Sequence, residues 1–448
     1  MKRLIGLGFG LVAACAEVPQ STAPVALTVP EARSFAATSP GPAQRPNSEI
    51  LYDFLDLSFR MESGRELPIL TRFEGPVTVR VTGDVPASLA GDLNGLLGRL
   101  RSEARIDIQQ TNSASANITI VAVPNRTLRR AAPNAACFVV PRVQSWPELR
   151  AARGRSTLDW ATLDTRTKAA IFLPADGTPQ DIRDCLHEEL AQALGPLNDL
   201  YRLPDSVFND DNMHSVLTGF DMLILRAYYD PALRSGMTRD AVASRLPGIL
   251  ARINPRGQRA GGQVPSLTSR DWIETVEVAL GGNASRAVRQ RAALRAVDIA
   301  SRKGWVDTRL GFANYAFARL QIGRNPRLAL DAFNNAGRTY RGNPLTQIHT
   351  AHIAVQLAAF TLITGDADAT IALTSEAIPV ARRYQDASLL SLLMMFQAEA
   401  LDIKGQSEDA MALRLDSLGW ARYGFGNREK VIDRLNEIAS LPPSDPAG

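Results

Sequence analysis

Apolar positions change their period along this chain, and each change marks an element. Val77-Thr-Val-Arg-Val81 alternates with period two, the signature of a half-buried strand. Residues 87–104 place Leu89, Leu93, Leu96, Leu97 and Leu100 at helical spacing just after Pro86. Short apolar runs at Ile106–Ile108, Ile118–Val123 and Ala169–Leu173 read as further strands. Thr178-Pro179 opens a helix that runs through Leu194 to a stop at Gly195. The mixture predicts an α+β domain over residues 49–248.

From residue 271 to 440 the pattern is helical throughout. Gly282, Gly323, Gly365 and Gly405 recur at intervals of 41, 42 and 40 residues, each before an alanine-bearing helix. Each unit reads as helix, glycine turn, helix. This resembles tetratricopeptide repeats, with a period longer than their usual one. The resemblance implies an all-α helical-repeat domain whose stacked pairs bind a protein or peptide partner. Between the two domains, residues 249–270 carry Arg252, Arg256, Arg259 and Arg270 among Gly257, Gly261 and Gly262 and read as an exposed linker.

Met1-Lys2-Arg3 precedes an apolar run, Leu4–Ala14, too short for a membrane span and of the right length for a signal-peptide core. The run ends in Val12-Ala-Ala-Cys15, which resembles a bacterial lipobox. That implies a signal peptide over residues 1–15 and lipidation at Cys15. Residues 16–48 hold Pro19, Pro24, Pro30, Pro40, Pro42 and Pro46 and read as a flexible tether. Ala16 stands where an Asp often retains such proteins in the inner membrane. The expected location is therefore the bacterial cell envelope, facing the periplasm, with the outer membrane favoured over the inner.

Composition narrows the classes. Apolar residues make up 45% of the chain and charged residues 21%, which excludes a disordered, collagenous or coiled-coil protein. Fifty Lys and Arg against 46 Asp and Glu leave a net charge of +4 with no long basic block, so no nucleic-acid partner is expected. After Cys15 only Cys137 and Cys185 remain. In an exported chain they are expected to form one disulfide, the alternative being two buried thiols.

The most informative run is Leu186-His-Glu-Glu-Leu-Ala-Gln-Ala-Leu-Gly-Pro-Leu-Asn-Asp199. Glu188 and Gln192 stand at i and i+4 on the helix, with Glu189 one step round. In one register His187 starts the motif, but Ala191 then falls at a ligand position. Starting at Glu188 gives Glu-Glu-x-x-Gln-x-x-Gly-x-x-Asn, which resembles the metzincin pattern His-Glu-x-x-His-x-x-Gly-x-x-His/Asp. The resemblance puts Glu188, Gln192 and Asn198 at the three metal-ligand positions and Glu189 at the general-base position. Thr218-Gly-Phe-Asp-Met222 leads into Leu-Ile-Leu-Arg-Ala-Tyr-Tyr229, and Met222 would mark the family's methionine turn. The run, with Ser206–Asp210 beyond it, also resembles a proteobacterial lipoprotein family of unknown function.

Zinc sites are built from His, Cys and carboxylates, and two of the three positions here carry neutral amides. The expectation is a metzincin-like (zincin-like) fold with a degenerate site, no bound cofactor and no hydrolysis. The alternative is an active zinc peptidase with atypical ligands, Glu189 activating water. A third reading leaves Glu188, Glu189 and Gln192 as the solvated face of an amphipathic helix. His214 reads as a surface residue, and Asn209-Asp-Asp-Asn212 as a turn.

Overall fold

The computed structural model describes residues 29–35, 41–133, 135–262 and 264–443. Cys15 and the signal segment lie outside them. The described residues form two compact units: 41–267, and 268–443 together with 29–35.

The first unit runs α1 (Asn47–Ser58), β1 (Val77–Gly83), α2 (Leu89–Ser102), β2 (Ile108–Gln110), β3 (Ile118–Val123), α3 (Asn125–Ala131), β4 (Phe138–Pro141), α4 (Trp146–Ala152), β5 (Ala169–Pro174), α5 (Pro179–Leu194), α6 (Gly219–Tyr228), α7 (Arg239–Ala243) and α8 (Leu246–Ile253). Its five-stranded mixed sheet has the order β2-β1-β3-β5-β4. Four strands are parallel, and β4 pairs antiparallel with β5, Phe138 opposite Phe172.

Strands β3 and β5 are buried along their whole length, as central strands covered on both faces must be. Ile118, Ile120, Ile171 and Leu173 join one large core with residues of α2 and α5. Val121, Val123, Ala170 and Phe172 face the other way, onto Leu128 of α3 and Leu149 of α4. The helix expected over 178–194 has both its signals. Thr178 and Asp181 make a reciprocal capping box with Pro179 in the first turn, and Gly195 ends the helix.

Three boundaries differ from the sequence reading. Strand β4 adds a short Phe-Val-Val-Pro edge whose proline needs no ladder donor. Residues 41–48 of the expected tether are tied into the first unit: Arg45 is buried and ion-paired, and α1 begins at Asn47. Residues 29–35 are likewise held, in the second unit. The expected linker is structured at its start. Ile249 and Leu250 of α8 lie in the core, and the Asn254 amide donates to Asn47 Oδ1 at 2.8 Å.

The second unit is a run of consecutive helices: α9 (Arg270–Leu280), α10 (Arg286–Arg302), α11 (Thr308–Gln321), α12 (Pro326–Arg341), α13 (Gln347–Ile363), α14 (Ala367–Arg383), α15 (Ala387–Ile403), α16 (Ser407–Phe425) and α17 (Arg428–Ala439). Gly282, Gly323, Gly365 and Gly405 fall in the turns α9–α10, α11–α12, α13–α14 and α15–α16, so each recurs at the same place in a helix pair. Gly365 and Gly405 have φ of +74° and +73°, which a side chain would strain. Small buried residues at helical spacing line the second helix of three pairs: Ala329, Ala332 and Ala336; Thr370, Thr374 and Ala377; Ala410, Ser417 and Ala421. They let neighbouring helices approach closely. No helix among the described residues is long and apolar enough to cross a membrane.

Candidate functional site

Helix α5 is buried on nearly every side. Glu189 is 2% exposed and Gln192 6%, whereas Glu188 is half-buried. A solvated polar face therefore does not describe Glu189 or Gln192. Cys185 of the same helix is bonded to Cys137 beside β4, with Cα atoms 5.9 Å apart, so the expected disulfide fastens α5 to the edge of the sheet.

The C-terminal end of α5 is held by side chains from elsewhere. Buried Arg166 donates from Nη1 to Gln192 O at 2.6 Å and Ala193 O at 2.8 Å, and from Nη2 to Gly195 O. Gln192 O also accepts from the Gly195 N–H at 3.3 Å, and the carbonyls of this last turn lie beyond the helix's own ladder, where a cation suits the end of its dipole. The Arg166 guanidinium lies over the Trp160 ring, 4.7 Å from its centroid, and burial pulls its pKa below the usual arginine value. The Tyr229 hydroxyl donates to Leu194 O at 3.0 Å. At Gly195 a Cβ would sit 3.0 Å from the Tyr228 ring, which accounts for glycine at this stop.

The chain leaving α5 folds back over α1. Leu197 N–H donates to Leu57 O at 3.0 Å, and the Asn198 amide donates to Asp56 O at 2.9 Å. The Gln192 amide donates to Asp199 Oδ2 at 3.4 Å. Both amides at the expected metal-ligand positions are thus in use as donors inside the fold.

Beside them lies a buried ion network. Arg202 Nη2 reaches Asp53 Oδ1 at 2.6 Å and Asp56 Oδ2 at 3.0 Å; Arg45 bridges Asp53 and, at 3.1 Å, Asp205. Burial would lower the Arg45 pKa, but Asp205 and Asp53 outweigh it and hold it above the ordinary value. Burial raises the pKa of Asp56 and Asp205, with Arg202 and Arg45 respectively opposing the shift. Arg166, Arg45, Asp53, Arg202 and Asp205 carry no periodic signal in the sequence, because each works through a partner distant in the chain or in a loop.

His187 points away from any ligand role. Its Nδ1 accepts from Leu217 N–H at 3.1 Å, while Arg99 donates to Leu217 O at 2.8 Å. Burial, with Arg183 and Arg99 adding to it, pushes the His187 pKa well below 6.5, so the ring is neutral and serves as an acceptor. Gln180 of α5 reaches Ser215 Oγ at 3.4 Å, so the loop before α6 is pinned to α5 at two points.

Met222 does not mark a turn. Thr218 and Asp221 form a capping box that starts α6 at Gly219, which places Met222 in the helix, its N–H donating to Thr218 O at 3.1 Å. The methionine of the preceding loop is Met213, 2% exposed, with its N–H on Asp211 Oδ1 at 3.1 Å. Asp221 accepts from Ser206, from Val207 N–H at 3.2 Å and from Thr218 N–H at 2.7 Å. Burial nonetheless raises its pKa to about 6. His214, expected at the surface, is buried and hydrogen-bonded to Pro204 O at 3.2 Å. Residues 209–212 close on themselves as a turn through Asn209 and Asp211, which are 2.8 Å apart.

Among the described residues no three His, Cys, Asp or Glu side chains converge as a metal-ligand set. A family model described as a protein of unknown function (DUF2927) matches residues 47–248, from the start of α1 into α8. No curated protein and no solved structure matches the chain.

Proposed function

We propose that the first unit is a metzincin-like module without catalytic zinc chemistry, and that the helical pairs form a protein-interaction scaffold. The reading of the first unit rests on one observation: both amides at ligand positions are donors to internal acceptors, Gln192 to Asp199 and Asn198 to the Asp56 carbonyl. That donor set, one half-buried carboxylate and two engaged amides, does not fit zinc. The mixed sheet, the capped helix with its glycine stop, and the loop pinned back on α5 support the zincin-like frame.

Restoring the donors tests it. Glu188→His, Gln192→His and Asn198→Asp together are expected to give a folded chain that binds about one zinc, because the i, i+4 geometry survives. A folded triple variant that stays zinc-free would sink the register.

The scaffold reading is supported by a cavity of about 400 Å³ between α12, α13 and α14. Ala354 and Leu373 line it, with Arg341, Arg383 and Glu376 among its charged residues. That size and lining suit an apolar side chain carried by a partner segment. We further propose that the chain is a lipid-anchored envelope protein. The Cys137–Cys185 bond supports an oxidising compartment. Cys15→Ser is expected to abolish acyl labelling; unchanged labelling contradicts the anchor.

A further inference from the structure

Residues 29–35 of the Pro-rich stretch are seated on helix α16. Arg33 N–H donates to Gly419 O at 3.0 Å, so the segment is bonded to the helix through its own backbone. The Arg33 side chain pairs with Asp416 and lies 5.6 Å from the Trp420 ring centroid. Two residues on, the Phe35 ring stacks on Trp420 with centroids 4.6 Å apart and meets the edge of Tyr423 at 6.4 Å. Val29 and Phe35 both pack against the core of the second unit. Glycine inside a helix is a cost, but Gly419 makes room here: a Cβ would stand 2.7 Å from Arg33 Cγ.

We infer that Asp416, Gly419, Trp420 and Tyr423 form a recognition site for an extended segment carrying an arginine two residues before an aromatic ring. The chain's own Val29–Phe35 is its occupant in cis, and a partner protein's segment of that chemistry takes the same site in trans. The features are those of peptide recognition: a backbone anchor, an aromatic platform and one acidic residue that selects the basic side chain. The stacking and the backbone bond supply the affinity, while the half-exposed Arg33–Asp416 pair supplies selectivity. The inference deepens the scaffold reading of the second unit and rests on it.

The test uses the full chain and a synthetic peptide of the sequence Val29–Phe35. The double variant Arg33→Ala/Phe35→Ala vacates the site and is expected to bind the peptide saturably, at least about tenfold more tightly than the unsubstituted chain does. Adding Trp420→Ala is expected to remove that binding. Because that variant loses a buried ring, Asp416→Arg provides a milder arm: it should reject the native peptide and accept one with Glu in place of Arg33. Equal binding of a scrambled peptide would overturn the site and leave the scaffold reading standing. Absence of binding by any peptide would likewise overturn the site, whereas the scaffold reading stands separately on the cavity between α12, α13 and α14. A dimer of the unsubstituted chain that the double variant dissolves would assign the segment to a second copy and overturn occupancy in cis.

Discussion

At the scale of single residues, the first unit uses its buried polar side chains to fasten loops. His187 is an example, since its neutral ring holds the Leu217 N–H. Its pKa lies well below 6.5 in the folded chain. Below that ordinary value the unfolded chain takes up a proton that the native chain refuses. The contribution of His187 is therefore fully present above pH 6.5 and lost as the pH falls toward the folded pKa, by up to about 1.4 kcal/mol per pH unit. Asp221 acts oppositely: its raised pKa favours the folded state as pH falls from about 6 toward 3.8. Urea midpoints at pH 7.5 and 5.5 are expected to differ less for His187→Gln, which keeps an acceptor but does not titrate. An unchanged difference would remove His187 from the account. What the sequence revealed at this scale was spacing: Glu188, Gln192 and Gly195 stand where the helical period puts them. It could not show that Asn198 would bond a carbonyl in α1, or that Arg166, from the loop before β5, would cap the C-terminal end of α5, because such partners are set by tertiary packing.

At the scale of elements, the strongest local signals were the most dependable. The apolar runs of β3 and β5 and the capped, glycine-stopped α5 follow directly from residue pattern. Strand β4 has four residues and ends in proline, too little to stand out from a loop. Helix α1 follows a Pro-rich stretch and was obscured by it, although Ile50, Phe54 and Leu57 repeat at helical spacing. The resemblance puts Met222 in a turn, but the capping box of Thr218 and Asp221 starts α6 ahead of it and makes it helical. The disulfide joins the beginning of β4 to α5 across a separation of 48 residues. Cross-linking a loop of that length restricts the unfolded chain by roughly 4 kcal/mol. Cys137→Ala/Cys185→Ala is expected to lower the stability of the first unit by about that amount, read from chemical denaturation. A loss under about 1 kcal/mol would mean that the bond adds little to the fastening of α5.

At the scale of the whole molecule, the described residues divide into two units with separate cores. The repeat was legible because the turn glycines recur at one place in each helix pair. The seating of residues 29–35 on α16 was hidden, since a proline-rich stretch reads as a tether unless its ligand-like side chains meet a surface. In the proposed reading the first unit keeps the helix and glycine stop of a zinc enzyme, while the Gln192 and Asn198 amides serve the fold. Elemental analysis of the full chain, expressed with zinc and then dialysed, tests this most directly. The expected result is far less than one zinc per chain, with Glu189→Ala changing neither the fold nor the metal content. About one zinc per chain, accompanied by a peptidase activity that Glu189→Ala abolishes, would contradict the account.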